Sequence, residues 1–422
     1  MSPPRSLVVA PPVSTPPLSD ALRDERRRRF PIGTSLSLAD LEDFERSTEV
    51  LAQLREREPV TWVEAVPGWL VTPRALVEEV LSSHGRFTVR AESSLVRLVL
   101  GDHMLTHDGE RHRHERAPYD PPFRLRPVRA NYTEMIERRV AGLLGPLEGA
   151  AGAELRAAYA NPLAIRAAGS LLGLTFEDIG RVSEIYDAFA AGMVDYSDPD
   201  VEATTAEPRR EFGEIVQRNI DRIRRAPDAS VISSVLHAES PAMRRSDEEV
   251  IANARIILFG AIETVTSIIL STTWALLRHP AQLAAVRADP PQFAAAVNET
   301  LRWIPPVGFS ERWAAEDIEL AGAAIRRGEM LMPSMTAANR DPDFFSDPDR
   351  FDVSRANARH HASFSHGEHH CVGFNVANLE ARIAVEQLFE RFPSLILDPA
   401  RPSKPAGFGF RSPRELAVRW AP

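Results

Sequence analysis

Residues 364–380 read FSHGEHHCVGFNVANLE and contain the one cysteine of this 422-residue chain, Cys371. A helical pattern begins a few residues after it, so its sulfur is expected near the positive end of a helix dipole, where a thiolate is stabilised. Gly367 and Gly373 allow a tight loop in which backbone can approach a flat ligand. The segment is therefore compatible with a metal-binding thiolate, although the cysteine alone favours an inert residue buried beside a turn.

The composition is that of a globular protein. Hydrophobic residues make up 44% and charged residues 26%, which excludes a disordered or fibrous chain. The balance of 50 basic to 59 acidic residues gives a net charge of −9, which argues against a nucleic-acid binder and against a cationic membrane-surface protein. One cysteine excludes an internal disulfide and a zinc site built mainly from thiolates.

The hydrophobic pattern predicts a mainly α-helical chain with a minor β-sheet region, including a hairpin of residues 59–63 and 69–72. Residues 1–35 are predicted to form a proline-rich N-terminal arm that is flexible at its start, and residues 36–422 one domain. We find no targeting segment, so we expect a cytoplasmic protein.

Residues 256–277 form the one apolar segment that is long enough to suggest a membrane span, and they contain a single charge, Glu263. A charge at the bilayer centre costs about 3 kcal/mol, and six Ser and Thr residues are scattered along the same segment. Ser246 and Glu249 have the spacing of a capping box, and Pro280 closes the pattern. We therefore predict a helix of about 32 residues buried in a soluble core.

The cysteine segment resembles the haem-ligand loop of the cytochrome P450 superfamily. Phe364, Gly367, Cys371 and Gly373 match all fixed positions of F-x-x-G-x-x-x-C-x-G. The resemblance implies the P450 fold, a single helix-rich domain with a minor β-sheet region. It also implies haem b (iron protoporphyrin IX) as cofactor, Cys371 as the axial ligand of the iron, and Phe364 and Gly373 beside the haem. Further motifs follow in family order, so the resemblance covers residues 36–420.

Two more segments, and the cysteine segment itself, carry residues that the family uses to hold the haem propionates. His112 and Arg116 lie one helical turn apart in DGERHRHER, residues 108–116, which resembles the family's D-x-x-x-H-x-x-x-R. Arg312 and His369 stand at two other propionate positions of the family. The resemblance implies charge-assisted hydrogen bonds from all four, although each residue alone is equally compatible with a solvated surface position.

The predicted long helix contains GAIET, residues 260–264, which resembles the family's A-G-x-(D/E)-T with Ala and Gly exchanged. Oxygen activation needs protons delivered to dioxygen on the iron without admitting bulk water to the pocket. A hydroxyl that positions the oxygen, with a carboxylate beside it that carries protons from solvent, meets that need. We therefore assign Glu263 and Thr264 to catalysis. The alternative is a threonine bonded back to a helix carbonyl beside a solvated glutamate.

Glu299 and Arg302 form an E-x-x-R motif on one helix face. The resemblance implies that this pair is structural and fixes the haem-loop region together with a third basic residue. We assign that third residue to Arg350, in DPDRF, residues 347–351.

Four segments that contact substrate in the family are apolar here. They are the loop of residues 86–104, the helix around residue 259, the turn 307–309 and the hairpin 408–410. The predicted substrate contacts are Leu95, Val96, Leu98, Phe259, Val307, Phe309 and Phe408. We expect a lipophilic or partly aromatic small molecule, with core packing as the alternative role of each residue.

The resemblance implies a haem-thiolate monooxygenase that inserts one oxygen atom of O2 into a lipophilic small molecule, by hydroxylation or epoxidation, in specialised metabolism. The chain has no flavin segment, and one cysteine excludes an iron–sulfur cluster. Electrons are therefore expected from NAD(P)H through ferredoxin reductase and a ferredoxin-type donor, which docks near Arg113. Ring coupling, rearrangement and peroxide-driven oxidation stay open. A separate alternative is a non-catalytic metal-binding protein that uses Cys371 and the histidines of residues 360–370.

The chain departs from the family pattern around the cysteine. Ser365 replaces a glycine, His370 stands directly before Cys371, and Asn375 and Asn378 replace the usual proline and arginine. These changes bear on the surroundings of the thiolate and hence on the reduction potential of the iron. The Gly/Ala exchange at residues 260–261 leaves the shape of the helix there open.

Overall fold

The computed structural model describes residues 11–193 and 200–421, and in them helices predominate over short strands. The helices are α1 (Asp20–Arg29), α2 (Pro31–Ser35), α3 (Leu38–Glu42), α4 (Phe44–Arg57), α5 (Arg74–Ser82), α6 (Leu95–Leu100), α7 (Gly109–Arg116), α8 (Leu125–Leu144), α9 (Asn161–Leu172), α10 (Phe176–Gly192), α11 (Val201–Thr204), α12 (Ala206–Arg225), α13 (Val231–Leu236), α14 (Asp247–Arg278), α15 (Pro280–Ala288), α16 (Gln292–Trp303), α17 (Met335–Ala338) and α18 (Phe374–Arg391). The strands are β1 (Val60–Val63), β2 (Gly68–Val71), β3 (Phe87–Thr88), β4 (Gly152–Glu154), β5 (Arg312–Ala314), β6 (Ile318–Leu320), β7 (Ala323–Ile325), β8 (Met330–Pro333), β9 (Ile396–Leu397), β10 (Pro405–Ala406), β11 (Ser412–Pro413) and β12 (Ala417–Arg419). The mainly helical fold with small sheets confirms the predicted class.

The largest sheet has the strand order β1-β2-β8-β5-β3. β2 and β8 are parallel, and the other neighbours are antiparallel. β1 and β2 are the predicted hairpin, with Val60 opposite Val71 and Val63 opposite Gly68. β4, β12 and β9 form a three-stranded sheet, and two further pairs are β10–β11 and β6–β7.

Helix α14 is the long helix that the sequence predicts, and its 32 residues confirm the expected length. Ser246 and Glu249 form the capping box at its start, with each side chain accepting the other residue's backbone N–H. Among the described residues it is the one helix long and apolar enough to cross a membrane, but 78% of its most apolar window is buried inside the fold. It packs against α9, α16 and α18, so it is the central helix of the core.

The N-terminal segment is described from residue 11 onward. Within it, α1 buries one arginine of the run RRRR: Arg26 donates to Glu329 at 2.6 Å and lies 3.8 Å from the ring centroid of Trp62. The first ten residues of the predicted arm lie outside the described residues. The division of the chain at residue 35 stays a prediction.

The E-x-x-R motif forms a buried ion-pair cluster. Glu299 and Arg302 have fully buried side chains, and Arg302 donates from Nε at 2.8 Å and from Nη2 at 2.7 Å to the carboxylate. The third basic residue is Arg355, whose Nε lies 3.2 Å from Glu299 Oε1. Arg350, which the sequence analysis assigned to this place, instead offers its backbone carbonyl to Arg302 at 3.0 Å and exposes its side chain. The positive φ of 47° at Asp347 marks the turn that reverses the chain here.

This cluster is connected to the cysteine loop through Asn339. Its Nδ2 donates to Ser363 Oγ at 2.8 Å, and its Oδ1 accepts the N–H of Ala362 at 2.6 Å. Arg302 binds the carbonyl of Asn339 at 3.0 Å, and Ser363 Oγ donates to the carbonyl of Leu301 at 2.6 Å. Helix α16 therefore fixes the chain immediately before Phe364.

Candidate active site

The cysteine loop is closed by backbone hydrogen bonds from Cys371 N to Phe364 O at 2.9 Å and from His370 N to Gly367 O at 3.1 Å. Gly367 has φ +71°, and a Cβ there would lie 2.8 Å from both the carbonyl oxygen of Leu81 and a neighbouring backbone carbon. Glycine is therefore required both by conformation and by close approach. Ser365, in the place of the family's glycine, has φ +62° and is held in the left-handed region that non-glycine residues rarely occupy.

The sulfur of Cys371 lies just before α18, and the backbone N–H of Gly373 donates to it. Burial raises the pKa of the Cys371 thiol above its ordinary value, against the lowering effects of that N–H and of the positive charge of Arg116. A thiol in this setting is protonated on its own. It becomes a stable thiolate when a metal cation binds the sulfur.

Cys371 borders an internal cavity of about 360 Å³. Helix α14 contributes Phe259, Gly260 and Thr264 to its lining, and most of the remaining wall is apolar. A Cβ built on Gly260 would meet no atom within 4 Å, so the backbone of α14 is open to the cavity at this point. The cavity can therefore take a flat ligand between the sulfur and the helix.

All four predicted propionate residues border this same cavity, namely His112, Arg116, Arg312 and His369. The imidazole rings of His112 and His369 lie 4.2 Å apart between centroids. Arg116 Nε donates to Asp120 at 2.8 Å. The tertiary structure thus brings together three segments that are distant in the sequence.

Arg312 provides the test of whether this site fits a haem. Its Nη1 donates to the backbone carbonyl of Glu311 at 2.8 Å, whereas its buried Nη2 has no hydrogen-bond partner among the described residues. Burial lowers the pKa of Arg312 to about 10, which leaves it positively charged near neutral pH. A buried charged donor without an acceptor is costly. An anionic group in the cavity, such as a propionate, satisfies it, so the donor set fits the cofactor.

His369 is held by an aspartate. Its Nε2 lies 3.3 Å from Asp108 Oδ1. Burial lowers the pKa of His369 to about 3, despite the hydrogen bond to Asp108, so the ring is neutral. The ring nitrogens of His112 lie 2.7 Å from the carbonyl of Met104 and 2.9 Å from that of Glu368.

The predicted acid–alcohol pair is divided between two environments. Thr264 borders the cavity, and its hydroxyl donates to the carbonyl of Gly260 at 2.6 Å. The carboxylate of Glu263 lies outside the cavity lining, where Arg156 Nη1 is 3.4 Å away and the hydroxyl of Tyr186 donates at 3.1 Å. Sequence reasoning missed Arg156 and Tyr186, since neither segment carries a signal that points to α14.

Five of the seven predicted substrate residues border the cavity: Leu95, Val96, Phe259, Val307 and Phe309. Leu98 does not: residues 95–100 form a helix instead of the expected loop, and Leu98 packs, partly buried, against the main hydrophobic core. Phe408 does not either. It is buried in a separate apolar cluster, with its ring 4.6 Å from that of Phe309.

Phe410 borders the cavity in the place expected for Phe408. A tight turn at Gly407, with φ +115°, and a bridge between Val307 and Phe410 set this arrangement. The ring of Phe410 lies 5.8 Å from that of Phe259 on α14. Ser94 and Glu311 also border the cavity and were missed as candidate site residues.

The histidine-rich segment does not gather around the cysteine as a zinc site. In the part of the chain that the structure describes, the one group of three possible metal ligands whose ligand atoms converge is Asp108, Glu368 and His369. Cys371 is not among them, so the alternative of a His/Cys metal-binding protein has no geometric support.

Known proteins resemble this chain over most of its length. Residues 199–415 match the family model for cytochrome P450. The polyketide biosynthesis cytochrome P450 PksS of Bacillus subtilis is 30% identical over 366 residues, which are 82% of this chain and 89% of PksS. The cytochrome P450 monooxygenase PikC of Streptomyces venezuelae is 33% identical over 385 residues, 87% of this chain and 90% of PikC.

A solved structure agrees with the sequence comparison. The crystal structure of P450BioI in complex with hexadec-9Z-enoic acid ligated acyl carrier protein matches with a TM-score of 0.80 at 29% identity, and covers 90% of this chain and 99% of that one. The family uses a haem-thiolate cofactor, and the cavity beside the one cysteine fits it. The chain therefore belongs to the cytochrome P450 superfamily and is a haem-thiolate monooxygenase.

Proposed function

We propose that this monooxygenase inserts one oxygen atom of O2 into a lipophilic small molecule of specialised metabolism, by hydroxylation or epoxidation, with Cys371 as the axial ligand of the haem iron. One observation carries the proposal: a single, largely apolar cavity borders both Cys371 and the hydroxyl of Thr264 on α14. When bound, the haem supplies the iron that activates dioxygen.

The residues around the cysteine hold and orient the cofactor. Gly373 donates its backbone N–H to the sulfur and, with Phe364, borders the cavity beside it. Arg116, Arg312 and His369 bind the propionates, with the unpartnered Nη2 of Arg312 as the clearest donor. The expected bond from His112 is not part of this proposal, because both of its ring nitrogens face backbone carbonyls. The cluster of Glu299, Arg302 and Arg355 has a structural role.

Thr264 and Glu263 move protons. Thr264 holds its proton at Oγ1 on the cavity side, directed at the Gly260 carbonyl. Glu263 holds its carboxylate beside Arg156 and Tyr186, in a partly exposed position. Protons therefore pass from solvent to the cavity by rotation of Glu263 or through water, while the apolar walls keep the bulk solvent out.

The substrate class follows from the cavity lining. Leu95, Val96, Val307 and Phe309 offer apolar surface, which favours a lipophilic molecule. Two relatives support this reading by what their names state, since PksS acts in polyketide biosynthesis and P450BioI was crystallised with an acyl carrier protein bearing a C16 fatty acid.

Electrons come from NAD(P)H through ferredoxin reductase and a ferredoxin in the cytoplasm. Arg113 supports this proposal, because its side chain is 63% exposed on α7 and its Nη1 lies 3.8 Å from Glu368 of the cysteine loop. An exposed cation beside the thiolate loop suits an acidic electron carrier. The variant Arg113→Glu is expected to slow reduction by a bacterial [2Fe–2S] ferredoxin but not by dithionite, whereas Arg138→Glu on the exposed face of α8 leaves both rates unchanged.

The ligand assignment is tested by the reduced carbon-monoxide difference spectrum of the haem-loaded protein. The wild type is expected to show the band of thiolate-ligated haem, and Cys371→Ser to lose it while retaining haem in part. His370→Ala is the matched control, because it removes the neighbouring possible ligand and should keep the band. A thiolate band in Cys371→Ser would overturn the assignment.

The reaction type is tested by turnover with a lipophilic substrate found by its shift of the Soret band. Incorporation of one labelled oxygen atom from ¹⁸O2, dependent on NAD(P)H, ferredoxin and reductase, supports the proposal. Product formation with hydrogen peroxide but none with NAD(P)H, ferredoxin and reductase, or a coupled or rearranged product without labelled oxygen, would contradict it.

A further inference from the structure

Two carboxylates, Glu311 and Glu380 on α18, border the cavity and are used by no step of the proposed function. Glu311 borders it directly before β5, and its Oε2 accepts a hydrogen bond from Ser94 Oγ at 3.2 Å. Its Oε1 has no hydrogen-bond partner, and the carboxylate has no ion pair within the described ranges. Ser94, the residue before α6, also borders the cavity.

Burial disfavours the negative charge of Glu311 more than its neighbours stabilise it. Burial raises the pKa of Glu311 to about 7, against the lowering effects of the Ser94 hydroxyl and of Arg312. The guanidinium of Arg312 donates to the backbone carbonyl of Glu311 and not to its carboxylate. A half-buried carboxylate with one neutral donor and one free oxygen is available to pair with a cation in the cavity.

The apolar cavity wall continues on both sides of this carboxylate. Leu95 and Val96 follow Ser94 in α6, and Val307 and Phe309 precede Glu311 in the chain, and all four border the cavity. A ligand that reaches Glu311 therefore has its body against apolar side chains and one end against an acid. In such low-dielectric surroundings an ion pair with excellent geometry is strong, and a neutral end group leaves the acid uncompensated.

We propose that Glu311, positioned by Ser94, is a specificity-determining residue that binds an ammonium group on an otherwise lipophilic substrate. This inference rests on the proposed function, because it takes the cavity beside Cys371 as the substrate site. The inference specifies a positive charge on the substrate, whereas the apolar lining specifies only that the substrate is lipophilic.

The test uses the haem-loaded protein and two probes with the same C12 chain, dodecyltrimethylammonium and dodecanol. The quaternary ammonium has no lone pair and cannot ligate the iron. Binding is measured below the micelle concentration by calorimetry and by the shift of the Soret band. The wild type should bind the cation at least about tenfold more tightly than the alcohol, as expected for an ion pair away from bulk water.

Three variants make the outcome specific. Glu311→Gln keeps the shape and a hydrogen-bond acceptor but removes the charge, so the preference for the cation should vanish while the affinity for dodecanol stays within about twofold. Ser94→Ala should weaken the preference only in part. Glu316→Gln, which removes an exposed carboxylate three residues after Trp313, where this stretch of the cavity wall ends, is the matched control and should bind both probes as the wild type does.

Two results would overturn the inference. One is an equal preference in the wild type and in Glu311→Gln. The other is loss of haem from Glu311→Gln without any change in probe preference, which would mean that the carboxyl group contacts the cofactor instead. Both are distinct from a failure of the proposed function, because the carbon-monoxide spectrum of the same wild-type sample reports the thiolate ligand independently of any probe.

Discussion

The carboxylate of Glu263 lies 3.4 Å from Nη1 of Arg156, so the acid of the predicted proton relay is paired with a cation outside the cavity. Arg156 begins a π-helical turn (Arg156–Ala160) that leads into α9, and it also donates to the backbone carbonyl of Pro413 at 3.1 Å. Tyr186 of α10 donates to the other carboxylate oxygen at 3.1 Å. Two segments therefore meet at one side chain of α14, and Arg156 links them to a third at Pro413.

This pairing yields a prediction for the coupling of electron use to product formation. Glu263→Gln removes the group that carries protons, and we expect turnover to fall by about 10² and more of the reducing equivalents to appear as hydrogen peroxide. Arg156→Gln removes the cationic partner but keeps the carboxylate of Glu263, so it should alter the peroxide fraction less than Glu263→Gln does. The measurement is product and peroxide formed per NAD(P)H consumed.

Glu248→Gln is the control for the relay, since it removes an exposed carboxylate from the first turn of the same helix. It should leave the product yield unchanged. Unchanged yields in Glu263→Gln would contradict the assignment of Glu263 to proton delivery.

The buried cluster at the E-x-x-R motif yields a prediction for stability. Arg355→Ala leaves the fully buried Glu299 with one cationic partner, Arg302, and frees the carbonyl of Ser346, which Arg355 Nη1 binds at 2.6 Å. We expect a loss of about 3 kcal/mol in the free energy of unfolding. Arg350→Ala should cost less than about 0.5 kcal/mol, because its side chain is exposed. Urea unfolding of the haem-loaded variants, followed by far-UV circular dichroism, measures both losses in unfolding free energy. Equal losses would contradict the assignment of Arg355 as the third basic residue of the cluster.

His103 yields a prediction for the pH dependence of stability. It is buried, and burial with the nearby charge of Arg255 lowers its pKa to about 3, from an ordinary value of 6.5. Between these values the unfolded chain binds a proton that the folded chain does not, so His103 costs stability as the pH falls below 6.5, by about 1.4 kcal/mol per pH unit. His103→Asn retains an acceptor for the N–H of Leu105, which the ring now binds at 3.2 Å.

The unfolding free energies of wild type and His103→Asn, compared from pH 7 to pH 5, should therefore diverge, with the variant losing less stability in acid. His84→Asn, at a half-exposed histidine, should follow the wild type. Parallel curves for the wild type and His103→Asn would show that His103 does not titrate in this way.

Arg26 yields a prediction for the N-terminal helix. Arg26→Ala removes the partner of Glu329 and the cation that lies over the ring of Trp62. Trp69 and Arg326 still bind Glu329, so we expect a loss of about 2 to 4 kcal/mol, together with faster proteolytic cleavage before residue 36. Arg28→Ala, at an exposed position two residues further on, should change neither quantity.

The features that the sequence predicted correctly depend on local signals. Ser246 and Glu249 mark the start of α14, Pro280 marks its end, and the apolar run between them requires burial. Gly367 could also be predicted from a local signal, because a tight loop restricts the backbone conformation at that residue regardless of its tertiary neighbours. The family resemblance of the loop around Cys371 then supplied the fold.

The sequence by itself determined the helical class, the long central helix and the cysteine loop, because capping, hydrophobic period and backbone restriction act between residues that are neighbours in the chain. Only the tertiary structure decided that Arg355 and not Arg350 completes the cluster at Glu299, that Arg156 pairs with Glu263, and that Phe410 and not Phe408 reaches the cavity. Those choices depend on the direction in which each side chain leaves a turn or a helix and on which distant segment packs against it. Spacing in the sequence carries no information about either.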